Sequence, residues 1–167
     1  MRKFISNIMV IVMIMFNLTM VMCSKNISQK DINEMKEVVD KVLSYDGDYD
    51  DEVSDYIDSE TFNESNYVIF YSYYIGHIVL NKYESEVMGV TKEDGKYNLC
   101  LLIDMEAKAT TLESDGIEQG YDTAEGNDVP VEVVLTKKEG KFHIESVKEY
   151  DSLEIAQNEN KNFIKNK

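Results

Sequence analysis

The spacing of apolar residues changes along this chain, and each spacing predicts a different kind of structural element. Residues 4–22 are almost all apolar, residues 28–45 repeat apolar positions every three or four residues, and residues 97–107 and 129–135 alternate apolar with polar positions. A repeat of three to four residues is typical of an amphipathic helix, whereas alternation is typical of a strand with one buried face. The pattern therefore predicts helices first and strands later in the chain.

The helix predicted over residues 28–45 carries its own start signal. Ser28 can cap the first turn, and Asp31, three positions later, completes a variant of the capping box. Because the apolar positions recur on one face, we expect that face to pack against the rest of the domain. Its side chains are Ile32, Met35, Val38, Val39, Val42 and Leu43.

An acidic segment, residues 46–60, follows this helix. Asp46, Asp48 and Asp50 stand at alternate positions, as at the start of a calcium-binding loop, but the glycine and the glutamate that complete an EF-hand loop are missing. A looser calcium site stays open as an alternative. We expect a turn that leads into a second short helix near Asp50–Ile57, with three side chains on its buried side: Val53, Tyr56 and Ile57.

Residues 66–80 are hydrophobic on all sides and rich in aromatic residues, so periodicity does not separate a helix from a strand. Their β-branched and aromatic content favours a strand, and a short helix followed by a strand near His77 is the alternative. In both cases the segment belongs to the core. The tyrosines could line a pocket, or they could pack at the core margin with their hydroxyls in water. The candidate pocket residues are Tyr71, Tyr73, Tyr74, Leu101 and Ile103.

Two similar heptapeptides, TKEDGKY at residues 91–97 and TKKEGKF at residues 136–142, each lie next to alternating segments. Asp-Gly in this setting is a strong hairpin signal, and Glu-Gly serves the same geometry, with Gly95 and Gly140 at positive φ. After the second turn, Val147 falls out of phase with the preceding apolar positions, which predicts a β-bulge. We therefore expect two hairpins joined by a long polar connection.

The first 23 residues have the features of an export signal. Two basic residues precede the apolar run of residues 4–22, whose 19 residues would span about 28 Å as a helix, close to the thickness of a bilayer core. Cys23 lies where bacterial lipoproteins carry their lipidated cysteine, although Met22 replaces the small residue that usually precedes it. A lipoprotein, an uncleaved transmembrane anchor and a secreted protein all stay open, and each places the rest of the chain outside the cytoplasm.

Composition narrows the classes of partner and chemistry. The formal net charge of −15 disfavours nucleic acid as a partner. Cys23 and Cys100 are the only cysteines, and with Cys23 at the membrane we expect no internal disulfide and interpret Cys100 as a small buried residue. His143 and Glu145 could share a metal, but no third ligand is in view. We therefore assign no catalytic residue, no metal site and no cofactor.

The segment VPVEVVLTKKEGKFHIESVKEY resembles the last hairpin of the NTF2-like (cystatin-like) superfamily. There, alternating valines, a lysine-glycine turn and an aromatic-x-isoleucine strand close a cone-shaped sheet. The segment INEMKEVVDKVLSY is similar to the first helix of that superfamily. The order of elements and this resemblance together imply an α+β fold. A signal or anchor helix would be followed by one or two helices packed on a curved antiparallel sheet of about four strands.

We expect three parts: a signal peptide, lipoprotein signal or membrane anchor over residues 1–23, a single α+β domain over residues 24–150, and a short helix or polar tail over residues 151–167. Small exported NTF2-like domains of this kind occur in Gram-positive bacteria, and the composition is typical of a low-GC genome. The expected function is a non-catalytic, membrane-tethered domain outside the cytoplasm that binds a protein or a small molecule. Two alternatives stay open: a subunit of a conjugation or secretion assembly similar to the VirB8-like group, and a small NTF2-like enzyme.

Overall fold

The computed structural model describes residues 27–75, 78–109 and 123–164. The predicted leader and Cys23 lie outside these ranges. Within them the chain forms four α-helices, four β-strands and a 3₁₀ turn. In chain order these are α1 (Gln29–Leu43), α2 (Ser59–Ser65), α3 (Tyr67–Ile75), β1 (Ile78–Glu93), β2 (Lys96–Ala109), β3 (Thr123–Lys138), β4 (Lys141–Glu149), α4 (Leu153–Glu159) and the 3₁₀ turn (Lys161–Phe163).

The strands form one antiparallel sheet in the order β1-β2-β3-β4, so each strand pairs with its neighbour in sequence. One face of the sheet, which we call the inner face, packs against α1, α2 and α3. The opposite, outer face is partly covered by α4 and the 3₁₀ turn. This arrangement confirms the predicted α+β class, in which leading helices pack on an antiparallel sheet.

Helix α1 begins where the sequence predicts. The Ser28 hydroxyl oxygen accepts a hydrogen bond from the backbone N–H of Asp31 at 3.1 Å, which satisfies a donor that has no partner inside the helix. Lys137 of β3 lies 3.0 Å from the Asp31 carboxylate and ties this first turn to the sheet. The stripe predicted to be buried packs against the inner face, and its fully buried members are Met35, Val39, Val42 and Leu43.

The helix predicted near Asp50–Ile57 is wrong. Residues 51–56 form successive turns, and α2 begins only at Ser59. The carbonyl of Tyr56 accepts a hydrogen bond from a backbone N–H of β4 at 2.7 Å, so this segment covers the edge of the sheet instead of continuing as a helix. Asp58 then caps α2 by accepting two backbone N–H groups of its first turn, each at 3.0 Å.

Residues 66–80 divide into a helix and a strand. Helix α3 spans Tyr67–Ile75 and β1 begins at Ile78, so the alternative of a short helix before a strand is correct and the preference for a strand throughout is wrong. The cause is a cap: the side-chain oxygen of Asn66 accepts the backbone N–H of Ile69 at 2.9 Å. Aromatic and β-branched content does not reveal such a cap.

Both predicted hairpins are present, and each turns through two residues at positive φ. The φ angles are 48° at Asp94 and 81° at Gly95 in the first turn, and 50° at Glu139 and 87° at Gly140 in the second. Two successive left-handed residues match the twist of the flanking strands, and glycine adopts that region without strain. The predicted bulge is also confirmed, because the register between β3 and β4 shifts at Glu145.

The C-terminal segment buries part of the outer face. Phe163 of the 3₁₀ turn has no exposed surface and packs edge-on against Tyr150, with 5.6 Å between ring centroids. The side-chain amide of Asn160 donates to the sulfur of Cys100 at 3.4 Å. Cys100 is therefore fully buried, as the sequence predicts, although it lies on the mostly polar face of β2.

Asn66 is a polar residue with no exposed surface, and its side chain joins three segments. The amide nitrogen donates to the carbonyl oxygens of Val42 at 2.8 Å and Tyr45 at 3.0 Å, while the amide oxygen caps α3 through Ile69. The carbonyls at the end of a helix and the N–H groups at the start of the next have no partner inside those helices. Asn66 therefore fixes the end of α1 against the start of α3.

We predict that Asn66→Ala lowers the free energy of unfolding by about 2–4 kcal/mol, because backbone groups around the buried amide lose their partners. Urea-induced unfolding followed by circular dichroism measures this loss. Asn63→Ala, one helical turn earlier and exposed, is the matched control and should change stability by less than about 0.5 kcal/mol. Equal effects of the two substitutions would contradict the role given to Asn66.

We predict that Gly89→Ala loosens the C-terminal segment. A Cβ added at Gly89 would lie 2.5 Å from the backbone oxygen of Asn162, closer than any ordinary contact. If the docking free energy falls by about 1.4 kcal/mol, Cys100 should react about tenfold faster with a thiol reagent. Cys23→Ser in the background leaves Cys100 as the reporter thiol. Gly95→Ala is the control for a general loss of stability, because its φ of 81° strains an alanine there while an added Cβ meets nothing within 4 Å. An unchanged rate in Gly89→Ala, or an equal increase in Gly95→Ala, would contradict the prediction.

Candidate functional site

A surface groove lies between the turn that follows α1 and the helices α2 and α3. Its volume is about 480 Å³, and ligand sites commonly measure about 300–1,000 Å³. We call it the α3 groove and define it by its lining residues: Asp46, Gly47, Asp48, Asn63, Val68, Ile69, Ser72 and Tyr73.

The walls of the α3 groove are held by contacts around Asn66. Its hydrogen bond to the carbonyl of Tyr45 places the turn beside α3. The ring of Tyr49 packs on Phe62 of α2, with 5.6 Å between centroids. A Cβ added at Gly47 would lie 2.8 Å from the ring of Tyr45, so the turn passes close over that ring. The acidic wall of the groove therefore has a fixed position relative to the helical wall.

The α3 groove combines negative charge with an exposed aromatic wall. Asp46 and Asp48 are exposed, and neither makes an ion pair or a hydrogen bond to another residue in the described part of the chain. The lining residues include no lysine or arginine within that part. Tyr73 exposes 79% of its surface beside these carboxylates. Negative charge without a neutralising partner thus lies next to apolar and aromatic surface.

A second groove, which we call the hairpin groove, lies between α1 and the β3–β4 turn and measures about 360 Å³. Its charges are largely balanced by neighbours. Lys141 lies 2.6 Å from Asp55, and Glu34 lies 3.9 Å from Lys137. This groove therefore offers a ligand less unneutralised charge than the α3 groove. Its lining residues are Glu34, Glu37, Val38, Lys41, Tyr56, Gly140, Lys141 and Phe142.

The residues predicted to line a pocket lie in different environments. Leu101 and Ile103 have no exposed surface and fill the core. Tyr71 is half-buried, and its hydroxyl lies 3.9 Å from a methionine sulfur of β2. Tyr73 lines the α3 groove, whereas the side chain of Tyr74 lies outside the described part. Of the four whose side chains are described, Tyr73 is thus the one that lies at the candidate site.

A tyrosine and a carboxylate meet at the inner face, near the end of β4. The hydroxyl of Tyr67 donates a hydrogen bond to Glu149 at 3.2 Å. The ring centroids of Tyr71 and Tyr83 lie 6.4 Å and 6.3 Å from the ring centroid of Tyr67. Burial and the negative charge of Asp151 raise the pKa of Glu149, whereas the hydrogen bond from Tyr67 lowers it. Burial has the largest effect, so the pKa is raised overall. Such a carboxyl group can hold its proton closer to neutral pH than an ordinary glutamate.

Cys100 and the His143–Glu145 pair do not form reactive sites. Burial raises the pKa of the Cys100 thiol to about 12, so the nucleophilic thiolate is scarce at neutral pH. His143 lies 3.5 Å from Glu145, but the ammonium group of Lys138 already lies 2.9 Å from the same carboxylate. Among the described residues, no group of three or more His, Cys, Asp or Glu is placed to hold a metal ion.

No model of a known protein family matches the chain, and no curated protein sequence matches it either. Across residues 27–75, 78–109 and 123–164, no helix is both long enough and apolar enough to cross a membrane.

Some residues of the α3 groove stand out in the sequence, but their proximity in the fold does not. Asp46 and Asp48 stand out as alternating acids and Tyr73 as a pocket candidate, but 25 residues separate Asp48 from Tyr73. Their meeting depends on α3 being a helix, since spacings of three and four place side chains on the same helical face. No periodic signal in the sequence marks the residues of the helical wall, because the segment is hydrophobic on all sides. These residues are Val68, Ile69, Ser72 and Tyr73.

We predict opposite pH dependences for two glutamates of β4. The pKa of Glu149 is raised in the folded protein, so its favourable contribution is present below the usual glutamate pKa of 4.5 and is lost as the pH rises through the raised value. The stability of wild type relative to Glu149→Gln should therefore fall as the pH rises above the usual glutamate pKa of 4.5. Urea-induced unfolding at several pH values measures this difference.

Glu145→Gln is the matched control on the same strand. Hydrogen bonds from Thr136 and Lys138 lower the pKa of Glu145, so its contribution is present above the usual pKa and is lost as the pH falls through the lowered value. The stability of wild type relative to Glu145→Gln should therefore not fall as the pH rises. Parallel curves for the two variants would show that the environment assigned to Glu149 is wrong.

Proposed function

We propose that this chain is a non-catalytic binding domain held at the outer surface of a bacterial cytoplasmic membrane, with the α3 groove as its binding site. The tether is the N-terminal segment, residues 1–23, through lipidation of Cys23 or through an uncleaved anchor. The remaining chain faces the outside of the cell of a low-GC Gram-positive bacterium. Its ligand is a protein or a small molecule, and its net charge of −15 disfavours nucleic acid as a partner.

The α3 groove is the observation that carries the proposal. It is concave, its lining sets the apolar side chains of Val68 and Ile69 beside polar groups, and its carboxylates have no partner among the described residues. These are the properties of a ligand site rather than of a surface whose groups satisfy one another. Tyr73 strengthens the argument, because a large aromatic ring that is 79% exposed gains free energy when a ligand covers it.

The NTF2-like resemblance fits this proposal with one difference in where the ligand binds. In an NTF2-like enzyme a catalytic group would lie inside the cone between helices and sheet. Here the inner face carries aliphatic side chains without exposed surface, including Leu101 and Ile103. We therefore place the ligand on the surface, beside α3, instead of inside the sheet.

A small NTF2-like enzyme is the second candidate, and the Tyr67–Glu149 pair favours it. A carboxyl group with a raised pKa beside a tyrosine is a usable general acid or base. We prefer the binding domain to the enzyme because the Tyr67 hydroxyl and the Glu149 carboxylate hydrogen-bond to each other and the core beside them is filled. A subunit of a conjugation or secretion assembly is a special case of the binding domain, in which the ligand is a protein and the anchor stays uncleaved.

We predict that Ser59→Cys is labelled on intact cells by a membrane-impermeant maleimide. Ser59 is exposed at the start of α2, whereas Cys100 is buried and gives little background. The wild-type chain is the matched control for reaction at its own cysteines. Labelling of Ser59→Cys only after cell lysis would overturn the extracytoplasmic placement. Fractionation of a Cys23→Ser variant then distinguishes a lipid on Cys23 from an uncleaved anchor, because the variant is expected to leave the membrane only if Cys23 carries the lipid.

A further inference from the structure

We propose that the α3 groove binds an extended peptide that presents a lysine or arginine side chain next to an apolar side chain. The cationic group would lie between Asp46 and Asp48, and the apolar neighbour would cover Ile69 on the helical wall. This inference rests on the proposed function, since it names the ligand class of the same groove.

The charge of the lining selects a cation. Asp46 and Asp48 are its ionisable carboxylates, and no basic residue of the described part lines the groove with them. Covering these carboxylates with a neutral ligand would remove their water without replacing its hydrogen bonds. An ammonium or guanidinium group replaces that water with charge-assisted hydrogen bonds. The net charge of −15 also raises the rate at which a cationic partner arrives.

The helical wall selects an apolar neighbour for that cation. Helix α3 carries no charged residue between Tyr67 and Ile75. Ile69 is half-buried, so part of its side chain lines the groove where a ligand can cover it. The exposed ring of Tyr73 adds a face over which a cation can also lie. A ligand in this groove can thus form a salt bridge and bury an apolar side chain at the same time.

The polar residues of the groove favour a peptide over a free small cation. Asn63 and Ser72 lie on its two helices, where an amide and a hydroxyl can pair with the N–H and C=O groups of an extended chain. A free polyamine would use the carboxylates but neither these groups nor the apolar wall. The hairpin groove offers a contrast, because its lining holds two lysines, Lys41 and Lys141, beside its acids.

The experiment selects peptides from a random linear dodecapeptide library on phage, using the full chain in lipid nanodiscs. Enriched peptides are then synthesised and their affinities measured by calorimetry. We expect lysine or arginine beside an aliphatic or aromatic residue, and about tenfold weaker binding to the Asp46→Asn, Asp48→Asn double variant. Raising the salt concentration from about 0.05 to 0.5 M should also weaken binding, because salt screens exposed charges.

The matched control removes the same amount of charge from the hairpin groove, through Glu34→Gln and Glu37→Gln, and should change affinity less than twofold. Ile69→Asp tests whether a peptide occupies the α3 groove at all. Peptides that lose affinity with Ile69→Asp but not with the aspartate double variant would overturn this inference and leave the proposed binding site standing. Peptides that are insensitive to both changes, or no enrichment, would overturn both. Displacement by spermidine at equal affinity would assign the groove to a free cation instead.

Discussion

Three hydrogen bonds of one buried amide connect the helical layer of this protein. Asn66 donates to the carbonyls of Val42 and Tyr45 and accepts from the N–H of Ile69. Backbone groups buried without partners are costly, so the end of α1, the following turn and the start of α3 keep one relative position. That position sets both walls of the α3 groove. The same side chain therefore stabilises the fold and shapes the candidate site.

The sheet is stabilised differently on its two faces. The inner face is apolar and packs on α1 to α3, where burial of aliphatic side chains supplies the main driving force. On the outer face, Glu132 accepts hydrogen bonds from Tyr150 and Asn98, and the C-terminal segment packs over Cys100. Burial acts to raise the pKa of Glu132, but these hydrogen bonds, with one from Asn160, bring it below its usual value. The outer face thus combines a satisfied polar cluster with a small apolar one.

The distribution of charge links this scaffold to its proposed function. Some carboxylates elsewhere pair with lysines, as in the Asp31–Lys137 and Asp55–Lys141 pairs, and exposed pairs of this kind add little to stability. Asp46 and Asp48 have no such partner in the described part of the chain and border an apolar wall. Where a protein leaves charge and exposed aromatic surface side by side, an external partner gains most from covering them. The α3 groove meets this condition better than the hairpin groove does.

Several elements depend only on local chemistry and are therefore readable from the sequence. The cap at Ser28, the positive-φ glycines Gly95 and Gly140, and the alternation of β2 each act over a few residues, and so their positions could be predicted. The other elements depend on contacts between residues that are distant in the sequence. Residues 51–56 form turns because they cover the edge of β4, and the α3 groove exists because Asn66 bonds to carbonyls 21 and 24 residues away. The pattern of apolar and polar positions predicts which face of an element is buried, but it does not predict which distant backbone group a side chain contacts.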